Sequence, residues 1–554
     1  MKISLYCRNL ERYIEADGGS TLAEIAAALQ SELGFRPLCA RVNNKTEGMD
    51  YAVYQNKLIE FQDRTTGSGP RVYVRSLCMM LYRALASVLP GAKLRIEHSI
   101  SHGYYCFLEG RGRLKESEIS SLRREMRRLS RMALPFVRNE VLTRDAREVF
   151  LAEGLDDKVE LMDTTKNLYT VYYTLDGICD TYYGVLAPST DYIDVFDIIP
   201  YGDGFLLLGF DPANPSQPSQ PIEQRKMFRA FMDYLAFNRI VGVRDVGQLN
   251  KQVLEHRAAD IINVSEALHE KSIARISEDI AQRYAAGGAR IVLIAGPSSS
   301  GKTTTTKRLG IQLMTNLLRP VLISLDDYFI DRDKTPRDES GDYDYESLYA
   351  LDLDKFNADL NAILAGEEVE LPSYNFELGR RQYKGNRIRL TEGSILLIEG
   401  IHGLNPELTA GIPERAKYRV YVSALTTLSI DDHNWVPTTD NRLLRRIIRD
   451  HKYRGTSAEE TIRRWPSVRR GEEKWIFPYQ ENADAMFNSS LLFELGVMKD
   501  YAENILRTVP NDVPEYAEAY RLRKFLSYFR PIGMHMVPST SLLREFLGGS
   551  SFKY

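Results

Sequence analysis

The chain contains 554 residues, of which 44% are hydrophobic, and its 72 basic and 75 acidic residues give a net charge of −3. That length suits roughly three or four domains, and the composition is ordinary for globular protein. The charge balance shows no overall basic excess of the kind that marks a nucleic-acid binder.

Signals for export or membrane insertion are absent from the pattern. Residues 1–20 carry charges throughout and lack an apolar core, and no apolar run approaches about 18 residues, so we expect neither secretion nor a membrane span. The five cysteines form no Cys-x-x-Cys pair, which is typical of reduced, buried thiols. These features favour a cytoplasmic protein.

Residues 1–65 have the pattern of a small β-rich domain. We predict strands at 2–7, 12–15, 38–42 and 58–61, with a helix that begins near Ser20 or Thr21, where Glu24 completes a capping box. The order strand, strand, helix, strand, strand indicates a ubiquitin-like β-grasp fold. With Arg41-Val-Asn as its most recognisable piece, the segment resembles the TGS domain at the front of threonyl-tRNA synthetases.

Residues 66–225 extend this resemblance. A predicted helix at 74–89 and the segments 93–105 and 187–210 are similar to the editing domain of those synthetases. In that family, two histidines on the helix and a later cysteine and histidine form a hydrolytic pocket with metal-ligand chemistry. The matching positions here are Ser76, Met80, Tyr182 and Leu186, and none of them can replace an imidazole or thiolate ligand. We therefore expect an α+β editing-like domain that is catalytically degenerate.

A basic helix is predicted within this second domain at residues 115–132. Its arginines are Arg123, Arg124, Arg127, Arg128 and Arg131. Pairing with Glu116, Glu118 and Glu125 on a solvated face is the favoured interpretation. An RNA contact is the alternative, and the synthetase resemblance supports it.

Three segments connect or extend the domains. Residues 211–222 are rich in Pro, Ser and Gln and predict a linker or exposed loop. Residues 226–285 predict a helical connector whose apolar positions, at near-helical intervals, pack the C-terminal domain against the front half. Residues 497–554 predict a mostly helical extension.

Residues 286–496 alternate apolar strands with amphipathic helices, which indicates a parallel β-sheet flanked by helices. The predicted strands are 291–295, 321–325, 394–399, 418–423 and 491–495. The overall expectation is a multidomain protein of α+β and α/β domains.

The clearest motif follows the first of these strands. Gly296, Gly301, Lys302 and Thr303 match G-x-x-x-x-G-K-[ST] between a strand and a helix. Glycines let backbone N–H groups surround a polyphosphate, and the helix presents its positive end to the anion. Lys302 should reach the β- and γ-phosphates and the Thr303 hydroxyl should bind Mg²⁺. The predicted nucleotide-binding residues are Gly296, Pro297, Ser298, Ser299, Ser300, Gly301, Lys302, Thr303 and Thr304.

Ser324-Leu-Asp-Asp-Tyr-Phe follows the second strand, where open α/β sheets bind ligands. A carboxylate here can accept a proton from an attacking hydroxyl. The segment resembles the uridine kinase and phosphoribulokinase family of P-loop kinases, and the resemblance makes Asp326 the general base and places Tyr328 at the substrate. Two aspartates that cap a helix are the simpler alternative.

Further segments follow in the order of that family. Asp342-Tyr-Asp-Tyr-Glu is similar to its ribose-binding stretch, which implies that Asp344 binds the sugar hydroxyls. Pro372-Ser-Tyr-Asn-Phe places Tyr374 beside the base. The histidine with which uridine kinases read the pyrimidine is replaced here by Gly379, so the accepted base stays open, with Arg380 or Arg381 as substitutes.

The metal and lid residues complete the resemblance. Ile395-Leu-Leu-Ile-Glu ends in Glu399, which in the family assists Mg²⁺. The helix that begins near Asp440 resembles the family's lid and places Arg442, Arg445 and Arg449 on one stripe, opposite Lys302, where they would neutralise the transferring phosphoryl group. Arg446 lies off this stripe, and a surface charge is a realistic interpretation for it.

The resemblance implies a nucleoside kinase that uses Mg²⁺ to transfer the γ-phosphoryl group of ATP or GTP to a ribose 5′-hydroxyl, most similar to uridine kinase. One alternative is a kinase for a phosphorylated sugar such as ribulose 5-phosphate. The other is an RNA-binding regulator that uses nucleotide binding as a switch. Kinases of this family are often multimeric, so a homo-oligomer is a further expectation.

Overall fold

A computed structural model describes residues 1–338 and 341–553. The first element is a five-stranded sheet in the order β2-β1-β5-β3-β4. Its strands are β1 (Lys2–Cys7), β2 (Arg12–Asp17), β3 (Cys39–Val42), β4 (Lys45–Gly48) and β5 (Lys57–Gln62), and its helices are α1 (Leu22–Ala28) and α2 (Gln30–Leu33). The predicted capping box is present, with Thr21 as the N-cap and Glu24 as its partner. The sequence analysis missed β4, a polar strand that pairs with β3 in a hairpin.

The second region contains two antiparallel sheets, with strand orders β11-β12-β7-β6 and β10-β9-β8. Its helices are α3 (Gly69–Val88), α4 (Glu116–Met132), α5 (Thr143–Ala152) and α6 (Asp156–Thr164). Its strands are β6 (Leu94–Ile100), β7 (Gly103–Leu108), β8 (Val137–Leu142), β9 (Tyr169–Leu175), β10 (Ile178–Asp180), β11 (Asp197–Tyr201) and β12 (Gly204–Leu208).

The four positions aligned with the editing residues are all buried in this region. The Ser76 hydroxyl donates to the Val72 carbonyl and accepts from the Ala187 N–H, both at 2.8 Å. Ser76 therefore serves the packing of α3.

The predicted linker at 211–222 is partly wrong. Strands β13 (Phe210–Asp211) and β14 (Asn214–Pro218) form a short antiparallel hairpin here. Three helices follow, α7 (Arg225–Val241), α8 (Val246–Leu254) and α9 (Ala258–Ala285). In α7, Met227 and Phe231 share one apolar cluster with Leu206 of β12 and with Tyr421 of the parallel sheet described next. This helix therefore packs against both halves of the chain.

The C-terminal half is built on a parallel sheet in the order β16-β19-β15-β20-β23. Its strands are β15 (Ile291–Ala295), β16 (Arg319–Ser324), β19 (Ser394–Glu399), β20 (Lys417–Ser423) and β23 (Ala485–Asn488); two hairpins are formed by β17 (Val369–Asn375) with β18 (Arg380–Ile388) and by β21 (Ser429–Asp431) with β22 (Asn434–Trp435). The helices are α10 (Lys302–Thr315), α11 (Leu353–Leu364), α12 (Thr438–Arg454), α13 (Ala458–Trp475), α14 (Glu494–Leu506), α15 (Tyr516–Leu526) and α16 (Arg544–Leu547).

Four of the five predicted strands of this sheet are present. The fifth, at 491–495, is wrong, because β23 lies earlier in the chain and Glu494 already begins α14. Leu491, Leu492 and Phe493 are buried in the large core below the sheet. A short buried apolar run of this kind does not distinguish a strand from a helix start.

The β21–β22 hairpin reaches from the C-terminal half into the second region. The Asp432 carbonyl accepts from the Ile96 N–H at 2.8 Å, and the Asn434 amide donates to the Thr181 carbonyl at 2.9 Å. Between the two halves, the fully buried Lys158 ammonium lies 2.9 Å from both Asp180 and Asp431. The halves thus share a buried ionic network.

All five cysteines are buried and carry free thiols. In the described part of the chain, we find no helix that combines the length and the apolar character needed to cross a membrane.

Candidate active site

The loop between β15 and α10 follows the carboxyl end of a central parallel strand. Two of its glycines are required because a side chain would clash. A Cβ on Gly296 would lie 2.0 Å from the Val422 carbonyl oxygen, and one on Gly301 would lie 2.5 Å from Leu542. Gly301 also has φ +84°, in the left-handed region that favours glycine. The loop therefore packs closely between β20 and the C-terminal segment.

Lys302 folds back over this loop. Its ammonium donates to the carbonyls of Gly296 at 2.9 Å and Pro297 at 3.1 Å. Burial lowers the pKa of Lys302, while the negative charges of Glu399 and Asp326 act in the opposite direction. An ammonium held over such a loop suits the β- and γ-phosphates of a nucleotide.

Thr303, in the first turn of α10, lies beside Glu399 at the end of β19. The Thr303 hydroxyl donates to the Glu399 carboxylate at 3.1 and 3.2 Å. Burial raises the pKa of Glu399 to about 7, although Lys302 opposes the shift. One hydroxyl and one carboxylate beside a phosphate loop fit Mg²⁺, which takes few protein oxygens and completes its shell with phosphate and water.

The two aspartates after β16 have different surroundings. The Asp326 side chain is open to solvent, and its backbone N–H donates to Ser324 Oγ at 3.3 Å. The surrounding protein raises the pKa of its carboxyl against the pull of Lys302, Arg454 and Arg449. Asp327 instead accepts from the Tyr374 N–H at 3.1 Å. Asp326 is therefore free to meet a substrate, while Asp327 fixes β17.

An aromatic group lines the side of the site next to Asp327. The Tyr374 ring lies 5.6 Å from Phe329 and 5.1 Å from Phe376. The Tyr374 hydroxyl is buried and has no hydrogen-bond partner among the described residues. Asp344 is half-buried, and burial raises the pKa of its carboxyl. These groups match a flat base and a sugar.

Tyr328 does not occupy the predicted substrate position. Its side chain is 1% exposed, and its hydroxyl donates to Asp359 of α11 at 3.2 Å. The residue turns into the core because Leu325–Tyr328 forms a 3-10 turn, in which residues three apart share a face, and Leu325 and Tyr328 are both buried. Phe329 takes the place beside Tyr374 instead.

Of the two arginines predicted to substitute for the family's histidine, only Arg380 is free of an ion pair among the described residues. Gly379 has φ +65°, and a Cβ there would lie 2.8 Å from the Arg332 side chain, so no side chain fits. Arg381 pairs with Asp352 at 2.8 Å. Arg380 is exposed at the start of β18.

Helix α12 presents its arginines differently from the prediction. Arg442 and Arg445 are 1% and 0% exposed and lie behind the phosphate loop. Arg442 donates to the Ser298 carbonyl at 2.9 Å and pairs with Glu472, and Arg445 pairs with Glu494 at 2.6 Å. These two guanidiniums brace the loop, since their charges are taken up by buried carboxylates.

The neighbouring face of α12 approaches the loop from its open side. Arg446 donates to Ser298 Oγ at 2.9 Å. Arg449 pairs with Asp450 at 2.7 Å, and its charge also acts on Asp326. The interpretation of Arg446 as a surface charge is therefore replaced by a loop contact.

The sequence analysis missed two carboxylates near the loop. Burial raises the pKa of Glu346 to about 7, with the charge of Glu472 adding to the shift and Arg446 and Lys302 opposing it. Its position in the acidic stretch 342–346 was the available signal. Glu545 of α16 accepts from the Thr304 N–H at 3.1 Å and from its hydroxyl at 2.6 Å. Nothing local in the sequence indicates this contact.

Comparison with known proteins agrees with this geometry. Residues 291–491 match the model of the Phosphoribulokinase / Uridine kinase family. A uridine kinase of Halobacterium salinarum is 28% identical over 193 residues, covering 34% of this chain and 76% of that protein. A threonine–tRNA ligase of Rubrobacter xylanophilus is 26% identical over 185 residues, covering 33% of this chain and 29% of the ligase. A solved structure of a possible uridine kinase from Bacillus stearothermophilus shares 19% identity and covers 39% of this chain and 98% of its own, with a TM-score of 0.26.

Proposed function

We propose, from the phosphoribulokinase and uridine kinase domain at residues 291–491, that this protein is a nucleoside kinase. It transfers the γ-phosphoryl group of ATP or GTP to the 5′-hydroxyl of a ribonucleoside and is most similar to uridine kinase. The front half is interpreted as a TGS-like β-grasp domain followed by a degenerate editing-like domain.

The convergence of three strand ends supports this proposal most directly. Glu399 is paired in register with Ser324 of β16 on one side and with Ile294 of β15 on the other. Asp326 follows Ser324 by two residues, and the loop with Lys302 follows β15. A base, a metal-binding carboxylate and a phosphate-binding ammonium therefore meet at one edge of the sheet, as phosphoryl transfer to an alcohol requires.

Each residue has a defined role in the proposed reaction. The Asp326 carboxylate accepts the proton of the attacking hydroxyl, and Lys302 and the loop amides hold the donor phosphates. Arg446 and Arg449 offset the charge that develops on the transferring group. Mg²⁺ held by Thr303 and Glu399 would neutralise phosphate charge.

The acceptor side favours a nucleoside over a sugar phosphate. A second phosphate beside Tyr374 would need an unpaired cation there, and Arg381, which lies opposite Tyr374 in the β17–β18 hairpin, is already paired with Asp352. The buried, unpartnered Tyr374 hydroxyl beside Phe329 and Phe376 suits a base instead.

The test is turnover of a substrate panel by wild type and Asp326→Asn. Ribonucleosides should be phosphorylated with ATP or GTP, whereas pentose phosphates should not. The variant should lose about 10²–10⁴-fold in kcat while it still binds the donor, because only the proton acceptor is removed. Asp354→Asn, at an exposed aspartate of α11, is the matched control. Activity retained by Asp326→Asn would refute the assignment.

A further inference from the structure

A cavity lies between the two halves of the chain and adjoins the phosphate loop, because Pro297 forms part of its wall. Its volume is about 480 Å³, and it is lined by α3, β6 and β7 of the front half and by residues around β22 and α12 of the C-terminal half. Asp326, Lys302 and Glu399 are not among the residues that line it. A cavity of this size accommodates a small organic molecule.

Aromatic side chains form much of the cavity wall. Tyr104 and Trp435 lie with ring centroids 4.6 Å apart, and Phe231, Phe477 and Tyr183 line other parts. Aromatic faces of this kind favour a flat ring that can stack or meet them edge to face.

One cation in the wall lacks a counter-ion. Arg75 of α3 is 9% exposed, and its guanidinium donates only to the Val185 carbonyl, at 3.0 and 3.3 Å. No carboxylate lies within 4.0 Å of it in the described part of the chain. Burial lowers the pKa of Arg75 to about 10, and the charge of Arg71 acts in the same direction. A buried charge left unpaired in this way is costly to the fold.

The remaining charges of the wall are already compensated. Arg71 pairs with Glu518 at 2.7 Å, and Asp440 accepts both bonds of the Arg521 guanidinium at 2.6 and 2.7 Å. Arg442 and Arg469 both pair with Glu472. Arg75 therefore distinguishes this cavity from an ordinary packing defect, because only its charge awaits a partner among these groups.

We propose that this cavity binds a small organic anion that carries a flat ring. The anionic group pairs with Arg75, and the ring packs against Tyr104 and Trp435. Nucleoside monophosphates and aromatic carboxylates share this chemistry, and the experiment below separates them.

Besides Pro297, which is itself part of the wall, Arg442 links the cavity to the phosphate loop. Arg442 lines the cavity and also donates to the Ser298 carbonyl at 2.9 Å. Its partner Glu472 accepts from the Ser298 N–H at 3.1 Å. A ligand that displaces Arg442 therefore alters the backbone that holds the donor, so the site is suited to regulation.

Titration calorimetry on the full chain tests the site without any assay of catalysis. The probes are uridine 5′-monophosphate, 4-hydroxybenzoate and the uncharged 4-hydroxybenzamide. At least one of the two anions should bind at a site that Arg75→Met weakens by about tenfold or more, because a hydrogen-bonded charge pair is lost. A site for the nucleotide at the catalytic centre would persist in the variant. Arg83→Met, on the same helix but paired with Asp176 outside the cavity, is the matched control.

The outcomes are distinct. Binding of the nucleotide alone or of the benzoate alone at the Arg75-dependent site identifies the ligand class. The proposal fails if neither anion binds, if the benzamide binds as tightly as the benzoate, or if Arg75→Met leaves every affinity unchanged. If Arg75→Met does not fold, Ile222→Trp decides, because this 39% exposed residue lines the cavity and a larger ring there should block entry.

Discussion

Arg445 and Arg446 are adjacent in α12 but have different surroundings, since Arg445 pairs with the buried Glu494 and Arg446 contacts the phosphate loop. Arg446 contacts Ser298 of the phosphate loop from the open side. Arg446→Gln should lower kcat about 100-fold, because a charge aimed at the transferring phosphoryl group is lost. The melting temperature should fall moderately as well, because the Arg446 side chain is only 14% exposed and pairs with Asp450 at 3.3 Å. Steady-state kinetics checks this, with Arg507→Gln, an exposed arginine just after α14, as the control. An unchanged kcat would exclude Arg446 from the reaction.

Replacement of Arg445 should instead lower mainly the stability of the protein. Arg445→Met leaves the buried Glu494 carboxylate without its cation, which should cost about 3–5 kcal/mol of stability. The decisive measurement is the denaturant midpoint, with Arg507→Met as the control. A variant with normal stability but no turnover would show that Arg445 acts on phosphate after all.

The contrast between these residues shows which features of the site local sequence can predict. Spacing of three and four predicts one stripe for Arg442, Arg445 and Arg449, but only Arg442 and Arg445 lie buried behind the loop, whereas Arg449 pairs with Asp450 on the neighbouring face. It does not fix the rotation of the helix, which is set by Glu472 and Glu494 from later helices. The same limit applies to Tyr328, whose direction depends on Asp359. By contrast, the loop from Gly296 to Thr304 follows β15 and leads into α10 as its local motif predicts, although Val422 and Leu542 from distant parts of the chain pack against its glycines.

At the scale of elements, the contact of α16 with the phosphate loop is the feature that the sequence does not predict. Its Glu545 carboxylate occupies the Thr304 N–H and hydroxyl, 241 residues away in the chain. Loop N–H groups at the start of such a helix are those that a nucleotide's phosphates use. The C-terminal segment therefore competes with the donor for the same hydrogen bonds.

Removing this carboxylate should improve donor binding. In Glu545→Ala the KM for ATP should fall about tenfold, since a bond to a charged group no longer has to be broken, and kcat should hold. Initial rates over a range of ATP concentrations measure this, with Glu473→Ala at an exposed position as the control. A higher KM would mean that Glu545 contributes to the donor site.

Strand predictions succeeded where apolar runs are bounded by polar residues. β15 and β19 match their predicted limits, 291–295 and 394–399, because both are interior strands with an unbroken apolar run, which in β19 is bounded by Ser394 and Glu399. β4 was missed since Lys45-Thr-Glu carries no apolar alternation and is held by pairing with β3 alone. Tertiary pairing of this kind leaves no trace in a single stretch of sequence.

At the scale of the whole molecule, Lys158 joins the halves. It is fully buried and contacts Asp180 of the front half and Asp431 of the C-terminal half, and its pKa is raised well above the ordinary value by these charges despite burial. Lys158→Met should destabilise the protein by about 3–5 kcal/mol, because two buried carboxylates lose their cation.

Thermal unfolding of Lys158→Met beside Lys166→Met, an exposed lysine, measures this loss. Replacing Asp431 by Asn in the Lys158→Met background should recover part of it, because Asp431 then has no cation among the described residues, whereas Asp180 still pairs with His433 at 2.8 Å. Equal melting temperatures of wild type and Lys158→Met would show that the network contributes nothing.

The β21–β22 hairpin also sets how this protein can be shortened. A chain that starts near residue 286 would carry Asp431 and His433 into water without Lys158 and Asp180, and would lose the strand edge that receives the Asp432 carbonyl. A workable minimal enzyme must therefore replace residues 429–435 by a tight connection between Leu428 and Val436, so that the end of β20 leads directly into the arginine helix. Such a chain must also keep α9, because Ile262 and Ile273 share one core with Leu309 of α10, and trimming at the boundary alone would expose both this core and the buried charges to water.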